Sequence, residues 1–348
     1  MTTALADADS RREPLARVVL HAAGGPDIGV GHLRRTGTLA DALAGLDPSL
    51  ELVLLWEASG ALAGTMRGGR RTASLELAGS RSEGLCMRDQ LVAEDGRTAL
   101  MSDILRPESG YFAGAREAGY AIVAHLNDSG ATRASADLLV DEDPASSPPE
   151  GFRGRFLSST RFRMIAAELV ALRGPTPWRA DAAARVTVAL GGADPRGLSE
   201  RLLTALVALP RRFETAVQIG PAFAAPHVAG LERIARGAER VSLSPPTAFT
   251  GPLLAASDLV VTLGGITAYE AMCLGRPGAA VRDGGMAPYV GKLAMEGLLV
   301  DLGEPESAAA ALVELAEDGP RLAELADRGH RVIDGNGARR VARSVLEL

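Results

Sequence analysis

Asp258–Cys273 reads DLVVTLGGITAYEAMC. An apolar run, a glycine pair and a segment with helical spacing follow one another directly. A run that is apolar throughout, rather than alternating, belongs to a strand of a parallel sheet covered on both faces. Glycines at the strand-to-helix turn let a ligand approach the backbone, and the bare N–H groups of the helix start attract an anion. A second turn of this kind, Ile28-Gly29-Val30-Gly31-His32, follows the apolar run Arg17–Ala22. One such turn in each half of the chain predicts a cleft between two α/β domains that holds a phosphate-bearing ligand.

Working outward, strand-like runs alternate with helical patterns over the whole chain. The first half offers Arg17–Ala22, Glu51–Trp56, Ala73–Leu77, Thr98–Ser102, Tyr120–Leu126 and Asp137–Val140, with helical spacing over His32–Leu46 and Glu108–Ala118. The second half offers Arg185–Leu190, Phe213–Ile219, Arg240–Leu243, Asp258–Leu263 and Pro277–Val281. This alternation predicts two doubly wound parallel sheets. The stretch Arg173-Gly174-Pro175-Thr176-Pro177 breaks the preceding helix and marks a boundary. The expected division is a loose tail over 1–15, a first Rossmann-like domain over 16–173, a linker over 174–184 and a nucleotide-binding Rossmann-like domain over 185–348.

The 348 residues suit two domains, and 47% apolar with 23% charged residues is globular composition. A formal net charge of −6 excludes a nucleic-acid binder working through a basic face, and 4% aromatic residues exclude a base-stacking platform. Cys86 and Cys273 lie far apart, so neither a disulfide framework nor a zinc cluster is expected, and Cys273 reads as a small core residue. The N-terminus has no signal-peptide pattern and no stretch is long enough to span a bilayer, which places the expected compartment in the cytoplasm.

In the second half, Gly191-Gly192 after one strand and Gly264-Gly265-Ile266-Thr267 after another fall where open α/β sheets bind ligands, at the carboxyl ends of strands. Thr267 adds a hydroxyl to the free N–H groups, and Glu270 lies within reach of a ribose diol or else simply serves the helix dipole. In the first half, His32 opens a helix, a position that disfavours a charged ring and leaves it able to act as a general base; packing or capping is the plainer role. Asp27, Asp103 and Asp128 lie on the same edge, each able to orient His32, bind a substrate hydroxyl or cap a helix. Of Arg34 and Arg35, one is expected to face a phosphate and the other solvent. The turn Ser244-Pro245-Pro246-Thr247 is placed to offer backbone groups to a base. No P-loop, no GxSxG elbow and no metal-ligand spacing occurs.

These residues resemble the GT-B superfamily of nucleotide-sugar enzymes. The likeness rests on IGVGHLRR (28–35), DIL (103–105), NDSGATRASADLLVDED (127–143), GGADPRGLS (191–199) and GGITAYEAMCLGRP (264–277). It is nearest to the UDP-sugar hydrolase of pseudaminic acid biosynthesis and the spore-coat polysaccharide glycosyltransferases, and more distant from the N-acetylglucosaminyltransferase of peptidoglycan synthesis. The resemblance implies UDP bound mainly by the second domain without a required metal or cofactor. It implies diphosphate contacts from Gly264, Gly265 and Thr267, ribose contact from Glu270, His32 as base and Arg35 as the arginine of a GHxxR pattern, with Gly29, Gly31, Asp103, Gly191, Gly192, Thr247 and Ile266 lining the substrate. Arg133 and Asp137 match positions read as structural. The chain departs from the hydrolases at three sugar-side places: His21 and Ala23 stand for an arginine and an acid, Leu105 for a tyrosine, and Gly285-Met286 for an Asn-Gln pair.

Together these readings give a transferase moving sugar from a UDP-sugar to a small acceptor with inversion. Hydrolysis with water as acceptor and a non-catalytic nucleotide-sugar-binding protein are the alternatives. Epimerisation on the same fold would normally need more carboxylates near the sugar.

Overall fold

The computed structural model describes residues 13–24, 31–58, 72–74, 97–104, 111–117, 120, 122–126, 134–142, 147–247, 249–282 and 284–348. Its first sheet comprises β1 (Leu15–Gly24), β2 (Glu51–Ala58), β3 (Thr72–Ser74), β4 (Arg97–Asp103), β5 (Ile122–Leu126), β6 (Leu138–Asp141) and β7 (Arg155–Ser158). The second comprises β8 (Arg185–Val188), β9 (Glu214–Gln218), β10 (Val241–Ser244), β11 (Leu259–Thr262), β12 (Gly278–Ala280) and β13 (Val300–Asp301). The helices are α1 (Gly31–Leu46), α2 (Tyr111–Glu117), α3 (Ala167–Val170), α4 (Leu198–Val207), α5 (Ala225–Arg236), α6 (Gly251–Ala255), α7 (Ile266–Cys273), α8 (Ala287–Met295), α9 (Pro305–Ala316), α10 (Gly319–Val332) and α11 (Gly337–Leu346).

Every strand pairing is parallel. The strand orders are β3-β2-β1-β4-β5-β6-β7 and β10-β9-β8-β11-β12-β13. Both sheets therefore reverse direction of winding beside their first strand, between β1 and β4 in one and between β8 and β11 in the other. That is the topological switch point, where the two connections diverge and leave a crevice at the strand ends. The expected α/β architecture with two parallel sheets is the one observed. The buried runs of β4, β6 and β11 confirm the reasoning behind it, since both faces of those strands are covered.

Two short strands were not expected. β7 and β13 each lie at the edge of a sheet, and their residues are mostly half-buried or exposed, so they carry no apolar run to announce them.

The chain divides at different places from those its breaker residues imply. Ile165 and Leu169, upstream of the expected linker, pack with Leu254, Tyr269, Met272 and Ile333 of the second half. Trp178 and Ala183, inside that linker, belong to the second core too. The crossing from first core to second thus lies near Arg163, ahead of the proline-rich stretch. The terminal helix α11, grouped with 185–348 by sequence, packs instead on α1 and completes the first core with Ala338, Val341, Ala342 and Val345. Val341 and Val345 are fully buried there, each contributing about 1.5–3 kcal/mol of transfer free energy. That gain explains why the helix is buried rather than left in solvent. Cys273 is fully buried in the second core, and burial pushes its thiol up to about 11.

Candidate functional site

At the first switch point, α1 brings His32 against Asp103, the last residue of β4. His32 Nδ1 stands 2.7 Å from Asp103 Oδ1. A ring nitrogen that close to a carboxylate carries the proton, which leaves Nε2 as the free acceptor. One turn further along α1, Arg35 donates to the same carboxylate twice, from Nε to Oδ2 at 2.7 Å and from Nη2 to Oδ1 at 2.5 Å. Asp103 is 1% exposed. Burial alone would push its carboxyl up, but the Arg35 charge and the hydrogen bonds from His32 and Arg35 outweigh it and hold the group below the usual carboxylate range. Arg35 is raised in turn: Asp103 and Glu142 more than offset the desolvation of its guanidinium.

At the second switch point the backbone is prepared and left open. Gly191-Gly192 follow β8, and Asp194 caps α4 by accepting the N–H groups of Leu198 and Ser199, both at 2.8 Å. Gly264-Gly265 follow β11 next door. Gly264 sits at φ +79°, a left-handed conformation that other residues resist, and a Cβ there would stand 3.0 Å from Val290 Cγ2. Among the described residues, the N–H groups of Gly265, Ile266 and Thr267 find no acceptor, and neither does the Thr267 hydroxyl. Such a helix start is an anion site. Glu270 lies one turn in, 3% exposed, with Oε2 buried and unpartnered. Burial is the main cause that pushes its carboxyl up, opposed by Arg34.

The two switch points meet. A Cβ on Gly31 would stand 3.3 Å from Ile266 Cδ1, and Arg34 reaches across to Glu270 Oε1 at 3.3 Å. The start of α1, with His32 beside it, therefore faces the start of α7.

Several expected residues are placed differently. Gly29 lies outside the described residues, as do Asp27, Leu105, Asp128 and Arg133. Arg35 and Asp103, expected to touch substrate, spend their polar atoms on each other, on His32 and on Glu142. Arg35 is buried, and Arg34, half-buried, reaches Glu270. Thr247 is exposed, but its hydroxyl closes a local turn by accepting from Phe249 N–H at 3.2 Å. Asp137 accepts from Arg116 on the surface. His21, which stands where the hydrolases carry an arginine, is 1% exposed and engaged with Tyr111 Oη at 2.8 Å, a core contact. Glu142 and Arg163 were missed. The signal was the acidic run Asp141-Glu142-Asp143 ending a strand of a parallel sheet, the edge where such sheets place working groups.

No protein-family model matches the chain, and no curated protein matches it. Solved structures do. Acinetobacter baumannii MurG aligns with a TM-score of 0.65 at 16% identity, over 95% of this chain and 99% of that one. An S. aureus MnaA–UDP co-structure aligns at 0.66 and 12%, over 95% and 96%. CalG4, the calicheamicin glycosyltransferase, aligns at 0.58 and 17%, over 97% and 98%. Likeness at these identities speaks to the fold, and the fold they share with this chain is GT-B: two parallel α/β domains joined across a cleft.

Proposed function

We propose that the protein is a UDP-sugar-dependent glycosyltransferase with His32 as general base. One observation carries this reading. A histidine oriented by a buried carboxylate faces, across the domain junction, a helix start with unused N–H groups and a buried carboxylate oxygen without a partner. The first is what proton abstraction requires, and the second is what a nucleoside diphosphate would satisfy.

In this reading the diphosphate takes the N–H groups of Gly265, Ile266 and Thr267, and the ribose hydroxyls take Glu270. His32 Nε2 removes the acceptor's proton as its oxygen attacks the anomeric carbon. The bond from that carbon to the diphosphate oxygen breaks, and its electron pair leaves with UDP. Attack opposite the leaving group inverts the centre. Asp103 stabilises the imidazolium formed, and the α7 start stabilises the departing charge, a role worth several kcal/mol of barrier in comparable sites. The choice of UDP rests on the resemblance of GGITAYEAMCLGRP and on neighbours such as MnaA, solved with UDP, and the Neisseria meningitidis UDP-GlcNAc 2-epimerase, solved with UDP-GlcNAc.

The same base serves water equally well, so hydrolysis is the second reading. The departures at His21, Ala23 and Gly285-Met286 count against the substrate of the hydrolases the chain resembles, not against hydrolysis itself. UDP release from a panel of UDP-sugars, with and without an acceptor fraction, tests both. Release that depends on the fraction establishes transfer, and equal release in buffer establishes hydrolysis. Interconversion of sugars without UDP release would establish epimerisation and overturn both readings.

A further inference from the structure

Glu142 follows β6 and is 2% exposed, and three groups converge on it. Arg35 Nη1 lies 3.3 Å from its Oε2, Arg163 Nη1 donates to the same oxygen at 2.6 Å, and the Met164 N–H donates to Oε1 at 3.2 Å. Arg163 lies where the chain passes from one core to the other. Its guanidinium continues into the second half, 3.9 Å above the ring of Tyr269 and 2.9 Å from that residue's hydroxyl through Nη2. Arg163 Nε is buried without a partner, so among the described residues Glu142 and Tyr269 fix the guanidinium. The backbone of Arg163 is pinned as well: α11 returns against it, and a Cβ on Gly337 would stand 1.9 Å from its carbonyl oxygen. Tyr269 directly precedes Glu270 on α7. A continuous chain of charges therefore runs from His32 through Asp103, Arg35, Glu142 and Arg163 to the helix that faces the ligand.

We propose that Glu142 is a positioning residue for His32, fixing the Arg35 fork on Asp103 and tying that arrangement to the domain crossing at Arg163. The proposal rests on His32 being the base. Arg35 Nη2 lies 3.2 Å from His32 Nδ1 as well as 2.5 Å from Asp103 Oδ1. A small swing of the guanidinium toward the ring would set a donor against Nδ1, favour the tautomer protonated at Nε2 and remove the acceptor lone pair. Glu142, by holding Nη1 from the far side, prevents that swing.

The test is the ring ¹⁵N spectrum of His32 in the full chain, together with steady-state turnover and UDP binding. In the wild type the spectrum should show one tautomer, protonated at Nδ1. Glu142→Gln keeps the shape and removes the charge. It should give a mixture of tautomers and about a tenfold fall in kcat, with the KM for UDP-sugar and the Kd for UDP within about twofold. Should Glu142→Gln fail to fold, Arg163→Lys decides the matter. It keeps a cation for Glu142 but not the fork to Tyr269, and a smaller shift of the same kind is expected. A wild-type spectrum in the folded variant would overturn the proposal, as would loss of UDP affinity in step with kcat. The spectrum needs no turnover. If the wild type releases UDP from no sugar, the functional reading fails while the spectrum still decides the role of Glu142.

Discussion

The two switch points are built on the same strand order and furnished in opposite ways. In the first, every charge has a partner: Asp103 receives His32 and Arg35, and Arg35 also reaches Glu142. In the second, among the described residues, the N–H groups at the start of α7 and Glu270 Oε2 have no partner. Full satisfaction holds a group in one geometry, which a base needs before substrate arrives. Hydrogen-bonding groups that the fold does not use are free to take a ligand, which a binding surface needs. Under the proposed function, the contrast fits proton chemistry in the first half and anion capture in the second.

The largest way to break the comparison is Asp103→Ala. It leaves the Arg35 cation buried without its fork partner, and losing one member of a buried pair costs about 3–5 kcal/mol. The midpoint of thermal unfolding should fall by on the order of 10 °C. A fall of about 2 °C or less would show that the first site is no more committed than the second. His32→Ala comes next. It removes the base without disturbing the α7 start, so turnover should fall at least ~10²-fold while calorimetric UDP affinity holds. Equal losses in both would place the histidine on the ligand rather than on the proton.

A smaller effect sharpens the second half of the comparison. Gly264→Ala forces a side chain into a left-handed backbone and against Val290, at about 1–2 kcal/mol. If the turn must hold its shape to present N–H groups, UDP affinity should weaken about tenfold, as that energy implies. Gly45→Ala, near the far end of α1, is the control, because a Cβ there meets nothing within 4 Å. Weakening in both variants alike would remove the turn from the account.

Much of this was legible in the sequence, for particular reasons. The sheets announce themselves because parallel strands such as that of Leu259, Val260 and Val261 are apolar on both faces. The turns at Gly31 and Gly264 were readable because helix starts and glycines carry local signals. What is carried by long-range pairing left no local trace. Arg34 and Arg35 are adjacent and chemically alike, and only the roll of α1 sends one to Glu270 and the other to Asp103. Glu142 meets Arg163 across 21 residues and Arg35 across 107. The terminal helix was misgrouped because its apolar face tells that it must be buried, but not against which half.

The gentlest test separates the halves by pH. Glu270 is raised in the folded state, chiefly by burial, so its contribution has the opposite sign from that of Asp103. For a raised carboxyl, stability is fully present below the unfolded value and declines as pH rises through the folded one; for the lowered Asp103, it declines as pH falls. Glu270→Gln removes the titration and keeps the shape. The variant should match the wild type in stability below pH 4.5, the ordinary glutamate value, and be the more stable of the two as pH rises toward neutrality. Its UDP affinity should nevertheless be the weaker, because the ribose loses the charged acceptor that the fold leaves waiting. A carboxylate that costs stability yet improves binding is held for the ligand. If the variant is instead less stable than the wild type at neutral pH, the Arg34 pair outweighs the burial, and Glu270 is a clasp between the halves rather than an open acceptor.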